Sequence, residues 1–276
     1  MKSKIKILIF ENKNQAAKFA ADLIASEISD PENMKFSGPS TLKNRKRVAG
    51  KKKFNLCLAA GETMIPVYHE LVKLHKEKKI NFQNITTFNI DEYIGAKKEN
   101  SFKYFLENNF LSFVNIKKEN QHFLNENNFV KYEDEIKKDG GIDFLLLGIG
   151  QNGHIAFNEP QSNFKSRTRK INLHEETRRV NKKDFRNFND VPKQAVTVGI
   201  GTILQARKII LIAFGKEKAQ ELYSSACEKS RVQCPASALQ LHRDVTFIVD
   251  KVAASKLIQE RNLARNTKLK YLRFDF

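Results

Sequence analysis

The chain has no tryptophan, three cysteines and no apolar run approaching the length of a membrane span. Each absence excludes something. Cys57, Cys227 and Cys234 form neither a disulfide framework nor the paired spacing of a metal motif, so a reduced, cytoplasmic setting without bound metal is expected. The opening MKSKIKILIFENK places basic residues before a few apolar ones. That run is too short for a secretory signal, and no small-residue cleavage site follows it. Aromatic–basic ribonucleoprotein motifs and zinc fingers are missing too, so neither nucleic acid nor a membrane is an expected partner. Acidic side chains are in deficit: 31 Asp and Glu face 49 Lys and Arg, a net charge of +18. That balance suits an anionic small substrate, and part of it reflects a composition rich in Lys, Asn, Ile and Phe.

What is present reads as one large α/β domain over residues 1–276, with 41% hydrophobic and 29% charged residues. Apolar runs alternate with helical patterns. KIKILIF (4–10), FNLCLAA (54–60), ITTFNID (85–91), IDFLLLGIG (142–150), QAVTVGIGTILQA (194–206), KIILIAFG (208–215) and VTFIVD (245–250) are the strand-like runs. Strands apolar throughout and separated by helices indicate a doubly wound, mostly parallel sheet with helices on both faces, a modified Rossmann-like arrangement. Residues 31–53, PENMKFSGPSTLKNRKRVAGKKK, break the alternation and read as a basic surface insertion. The basic tail 266–276 is expected to pack Tyr271, Leu272 and Phe274 against the body.

Such sheets bind ligands beyond the carboxyl ends of their strands, so the informative loops are those leaving strands. In LAAGETMIPVY (58–68), Gly61 permits a tight turn and Thr63 opens a helix, whose amides and dipole suit a phosphate. Any glycine at a strand-to-helix turn looks similar, and Glu62 is an awkward neighbour for an anion. In FNIDEYIG (88–95), Asp91 and Glu92 sit at a strand end and point to opposite faces, so they are not automatically an acid pair. A helix or turn cap is the plainer role for Asp91. In GIGQNGHIAFNEP (148–160), His154 and Glu159 are close enough along a loop to share proton transfer. The spacing is not HExxH, and a tight turn with a structural histidine accounts for it equally well. FGKEKA (214–219) sets Lys218 at a helix start, facing an anion or merely solvent.

Together these loops resemble the glucosamine-6-phosphate deaminases, also called isomerases. The matching strings are TTFNIDEYIG (86–95), LGIGQNGHIAFNEP (147–160), SRTRKINL (166–173), AVTVGIGTILQA (195–206), FGKEKA (214–219) and PASALQLH (235–242), in family order from about residue 54 onward. The related 6-phosphogluconolactonases share the sheet and the Gly-x-Gly-x-x-Gly-His core but lack FNEP. The resemblance implies conversion of glucosamine 6-phosphate and water to fructose 6-phosphate and ammonia, with no metal or organic cofactor. By resemblance, His154 opens the sugar ring, Glu159 belongs to the same relay, and Asp91 carries the proton between C2 and C1. Asn152 stands where some members have the aspartate of that relay.

The loop Ala60–Gly61–Glu62–Thr63, Lys183 and Lys218 match the phosphate site. Lys183 replaces an arginine, keeping its charge but losing the bidentate fork. Glu62 stands where the family has small residues. Some relatives are hexamers activated by N-acetylglucosamine 6-phosphate. Ser162 and Arg169 match that second site, whereas Ile171 and Asn163 replace a lysine and a serine, so weak or absent activation is expected. A homo-oligomer is compatible with the resemblance. The alternatives are another sugar-phosphate isomerase or lactonase on the same fold, or a catalytically weakened binding protein using residues 43–53 to hold a polyanion.

Overall fold

The structure, a computed structural model, describes residues 5–29 and 53–264. The expected insertion (apart from Lys53) and the tail expected to pack against the body lie outside the described residues.

Seven strands form one parallel sheet. They are β1 (Lys6–Phe10), β2 (Phe54–Leu58), β3 (Ile85–Asn89), β5 (Gln121–His122), β6 (Phe144–Leu147), β9 (Lys208–Ala213) and β10 (Val245–Asp250), in the spatial order β1-β10-β9-β6-β2-β3-β5. Strands β2, β3, β6, β9 and β10 are buried at every position. Burial on both faces is why their sequences run apolar instead of alternating. Helix α1 (Lys13–Ser29) contributes a stripe of Ala16, Ala17, Ala20, Ala21, Leu23 and Ile24, all buried. Its small residues let it pack closely on α2 (Ile65–Lys76), which buries Val67, Tyr68, Leu71 and Val72. Asn12 Oδ1 accepts from the amides of Asn14 and Gln15 and so caps α1 at its start. Helix α4 (Tyr132–Lys138) buries Tyr132 and Ile136, and the Tyr132 hydroxyl donates to the Asn89 carbonyl at the end of β3.

The order of the strands locates the ligand site. From β2 the chain steps outward through β3 to β5; from β6 it steps the other way through β9 to β10. The loops leaving β2 and β6 therefore diverge to opposite sides and leave a crevice between them. These are the loops that carry Gly61 and His154.

A second, three-stranded antiparallel sheet was not expected from the sequence. It consists of β4 (Asp91–Tyr93), β8 (Gln194–Thr197) and β7 (Arg169–Asn172). ITTFNID, read as one strand, is divided at Ile90: the Ile90 amide bonds to Leu58 in the first sheet, and its carbonyl accepts from Val198 at the edge of the second. QAVTVGIGTILQA is likewise divided, into β8 and a short helix, α6 (Ile200–Ile203). The second sheet has its own small core of Tyr93, Phe157, Leu173, Phe185, Val191 and Ala195. The Tyr93 ring lies 4.8–5.5 Å from the rings of Phe102, Phe157 and Phe185. This aromatic packing anchors β4 and the loop after β6 to each other, and Asp91 sits at the joint between the two sheets.

Candidate active site

A cavity of about 260 Å³ opens at the divergence of β2 and β6. Its lining includes Asp91, Asn152, His154, Lys183, Lys218 and the turn Ala60–Gly61–Glu62–Thr63. Of the ten residues matched to catalysis or to the phosphate site, Glu159 alone is not in the wall; it stands behind Asn152 and His154.

Asp91 and Glu92 separate as the strand geometry demands. Glu92 turns away from the cavity and accepts backbone N–H bonds of 2.9 Å from Tyr93, Phe102 and Lys103. Phe102 and Lys103 open helix α3 (Phe102–Asn109), whose first turn has unpaired donors that a carboxylate satisfies. Glu92 is thus a structural cap. Asp91 is buried, and among the described residues no donor is within hydrogen-bond distance of its carboxylate. Burial, and secondarily the neighbouring Glu92 charge, hold its carboxyl well above the usual carboxylate range. An unpaired buried carboxyl costs stability and is expected only where it does chemistry.

The loop after β6 builds the second group. Gly150 accepts an amide bond from Gly153 and donates one to the His154 carbonyl, closing a tight loop. A Cβ on Gly150 would collide with the His154 imidazole, so only glycine fits there. Ala156 (φ +50°) and Gln161 (φ +77°) adopt left-handed backbone without being glycine, the kind of strain that collects at functional loops.

Asn152 links histidine to glutamate. Its Nδ2 donates to Glu159 Oε2 at 3.0 Å, and its Oδ1 lies 2.7 Å from His154 Nδ1. A carboxylate only accepts, which fixes the amide orientation. The amide oxygen in turn requires N–H at His154 Nδ1, leaving the lone pair of the neutral ring on Nε2. Glu159 Oε2 is itself 3.7 Å from His154 Nδ1, and Glu159 is buried, with no hydrogen-bond partner at Oε1 among the described residues. Burial pulls the His154 pKa below the usual imidazole value, Glu159 pulls it back up, and the Lys218 and His174 charges lower it again. The result is a neutral, tautomerically fixed imidazole with a carboxylate close by.

The other end of the cavity carries the charge. Gly61 adopts φ +119°, ψ 158°, a region closed to residues with a Cβ, and an added Cβ would meet nothing within 4 Å. The requirement there is conformational, not spatial. The turn leads into a short 3-10 segment, Glu62–Met64, and then α2. Lys218 ends a 3-10 segment, Lys216–Lys218, before α7 (Ala219–Cys227), and its ammonium is disfavoured mainly by burial. Lys183 follows α5 (Glu175–Asn181) and is ion-paired with Glu62.

Sequence reasoning missed several groups at the cavity. Glu176, Asp184 and Glu217 join its wall, as do Tyr93 and Phe102. His174 Nδ1 lies 4.0 Å from Glu159 Oε2, half-exposed at the start of α5. Tyr93 and Glu217 lie inside the matching motifs but were given no role there; Phe102, Glu176 and Asp184 belong to no motif, and only the fold brings them to the crevice.

The family described as glucosamine-6-phosphate isomerases/6-phosphogluconolactonase matches residues 40–248. A glucosamine-6-phosphate deaminase of Clostridium acetobutylicum is 40% identical over 261 residues, covering 92% of this chain and all of its own length. One of Thermoanaerobacter sp. (strain X514) is 39% identical over 264 residues, covering 93% and 96%. A solved structure of a monomeric glucosamine-6-phosphate deaminase superposes with a TM-score of 0.81 at 35% identity, covering 91% of this chain and 100% of that one. A 6-phosphogluconolactonase from Thermotoga maritima, at 21% identity and a TM-score of 0.67, shares the fold. The chain therefore belongs to the glucosamine-6-phosphate isomerase/6-phosphogluconolactonase family.

Proposed function

We propose that the chain is a glucosamine-6-phosphate deaminase, converting glucosamine 6-phosphate and water to fructose 6-phosphate and ammonia. The observation that carries this reading is one cavity lined by a buried, unpaired Asp91, by the His154–Asn152 pair backed by Glu159, and by two lysines. A cavity of about 260 Å³ suits a monosaccharide phosphate rather than a dinucleotide.

The chemistry needs two separate proton carriers. In ring opening, neutral His154 takes the O1 hydroxyl proton on Nε2 and returns a proton to the ring oxygen. Glu159, across Asn152, stabilises the transient imidazolium. Asp91 then removes the C2 proton while the aldehyde oxygen takes up one proton given up by the substrate's ammonium, giving an enolamine. Return of that proton to C1 leaves a C2 iminium, which water hydrolyses to the ketone and ammonia. The raised Asp91 pKa makes it a stronger base once ionised. The substrate's own ammonium, arriving beside it, supplies the positive charge that favours ionisation. The phosphate lies toward Gly61, Lys183 and Lys218.

A cytoplasmic setting belongs to this reading; among the described residues no helix is long and apolar enough to cross a membrane. Ammonia release from glucosamine 6-phosphate by folded protein is the test, and no turnover would sink the proposal.

A further inference from the structure

The two lysines at the charged end of the cavity are not equivalent. Among the described residues, no carboxylate lies within ion-pair distance of Lys218, whereas the Lys183 ammonium is already ion-paired with Glu62. Glu62 comes from the turn after β2 and Lys183 from the segment after α5, so the pair closes across the cavity mouth between two distant stretches of chain. Neither side chain is held by burial: Lys183 is 52% and Glu62 67% exposed. The Glu62 backbone is fixed by the Gly61 conformation and the following 3-10 turn, but its carboxylate is free to rotate away. Exposed ion pairs of this kind are weak and exchange readily.

We propose that Glu62 is a built-in competitor for the substrate's phosphate, a carboxylate that occupies Lys183 in the empty cavity and must release it before a phosphoryl group is fully bound. This rests on the phosphate reading given above. It makes Glu62 a specificity-determining residue. Every phosphorylated ligand first has to displace it, and a ligand without a strong anion at that position leaves the pair closed. Affinity for the phosphoryl end is therefore set below what two free lysines would give.

The experiment is titration calorimetry with inorganic phosphate at constant ionic strength. It compares the unaltered chain with Glu62→Gln, Lys183→Ala and the double variant, alongside KM for glucosamine 6-phosphate. Displacing an exposed ion pair corresponds to a change of about 1.5- to 5-fold in affinity. Glu62→Gln is expected to tighten phosphate binding and lower KM by that factor. Lys183→Ala is expected to weaken phosphate binding, and adding Glu62→Gln to it should recover little. Unchanged or weaker phosphate binding in Glu62→Gln would overturn the proposal. So would a full gain that persists without Lys183. Because phosphate binding is read without turnover, tighter binding in a chain that releases no ammonia would uphold the competitor and remove the deaminase reading. Ammonia release with no Glu62 effect would do the reverse.

Discussion

The two ends of the cavity are built on different principles. At the proton-transfer end, Asp91 and Glu159 are buried, and Asn152 bridges His154 at 2.7 Å and Glu159 at 3.0 Å in a loop with strained backbone. At the phosphate end, Glu62 and Lys183 are exposed and satisfy each other. The first end is preorganised. Its groups are desolvated, the Asp91 and His154 pKa values are displaced, and little has to move when substrate arrives. The second holds an exchangeable ion pair, Glu62–Lys183, beside a partly buried Lys218 with no carboxylate in ion-pair distance among the described residues. Chemistry tolerates little misplacement, whereas anchoring a dianion requires mainly net charge and access. On this view substitutions at the buried end alter kcat, and substitutions at the exposed end alter KM.

The largest expected break of that contrast is Asp91→Asn. It should lower kcat on the order of 10²–10⁴-fold with KM little changed, as steady-state kinetics would show. The same variant should be more stable at neutral pH. The folded-state pKa of Asp91 is raised, so the stability tied to this group is present below the unfolded value and is lost as pH rises toward the folded one. Thermal melts of the variant should therefore show a gain at pH 7 that shrinks below about pH 4. A variant both inactive and less stable would mean that Asp91 is structural.

Next in size is Lys218→Ala, expected to raise KM roughly 10- to 100-fold with a smaller effect on kcat, because a charge-assisted contact to phosphate is lost. A kcat-dominated loss would place Lys218 with the proton-transfer groups and erase the contrast. Smaller again is Glu92→Gln. It removes the charge at the start of α3 and sets an NH2 donor where one carboxylate oxygen accepted a backbone amide, and should cost about 1–3 kcal/mol of stability by denaturant titration while leaving kcat within about twofold. Asp91 and Glu92 are adjacent in sequence, and these two variants together test whether strand geometry alone separated catalysis from capping. The smallest effect concerns activation. Added N-acetylglucosamine 6-phosphate should leave kcat/KM within about twofold, since Ile171 and Asn163 do not offer the charged and hydroxyl groups of regulated relatives.

Much of this was legible in the sequence, unevenly. The parallel sheet followed from runs such as IDFLLLGIG and KIILIAFG, because a strand that stays apolar at every position has to be covered on both faces. The second sheet did not, because β4 and β7 are three and four residues long and Arg169–Asn172 alternates too briefly to register. The break at Ile90 was hidden because FNIDEY reads as one continuous strand. His154, Glu159 and Asp91 stood out through the resemblance; their residue types alone left turn, cap and catalysis all open. In sequence Asn152 can orient an imidazole by hydrogen bonding but lacks an aspartate's charge, and in the structure its Oδ1 makes that bond. The Glu62–Lys183 pair spans 121 positions of chain, and no local pattern encodes such a contact.

The most direct test of the whole account is a stoichiometric assay on glucosamine 6-phosphate that follows ammonia and fructose 6-phosphate together. Equal rates of appearance of the two products, both abolished in Asp91→Asn, are expected. Ketose formation without ammonia, or hydrolysis of a sugar-phosphate lactone with no action on the amino sugar, would contradict it.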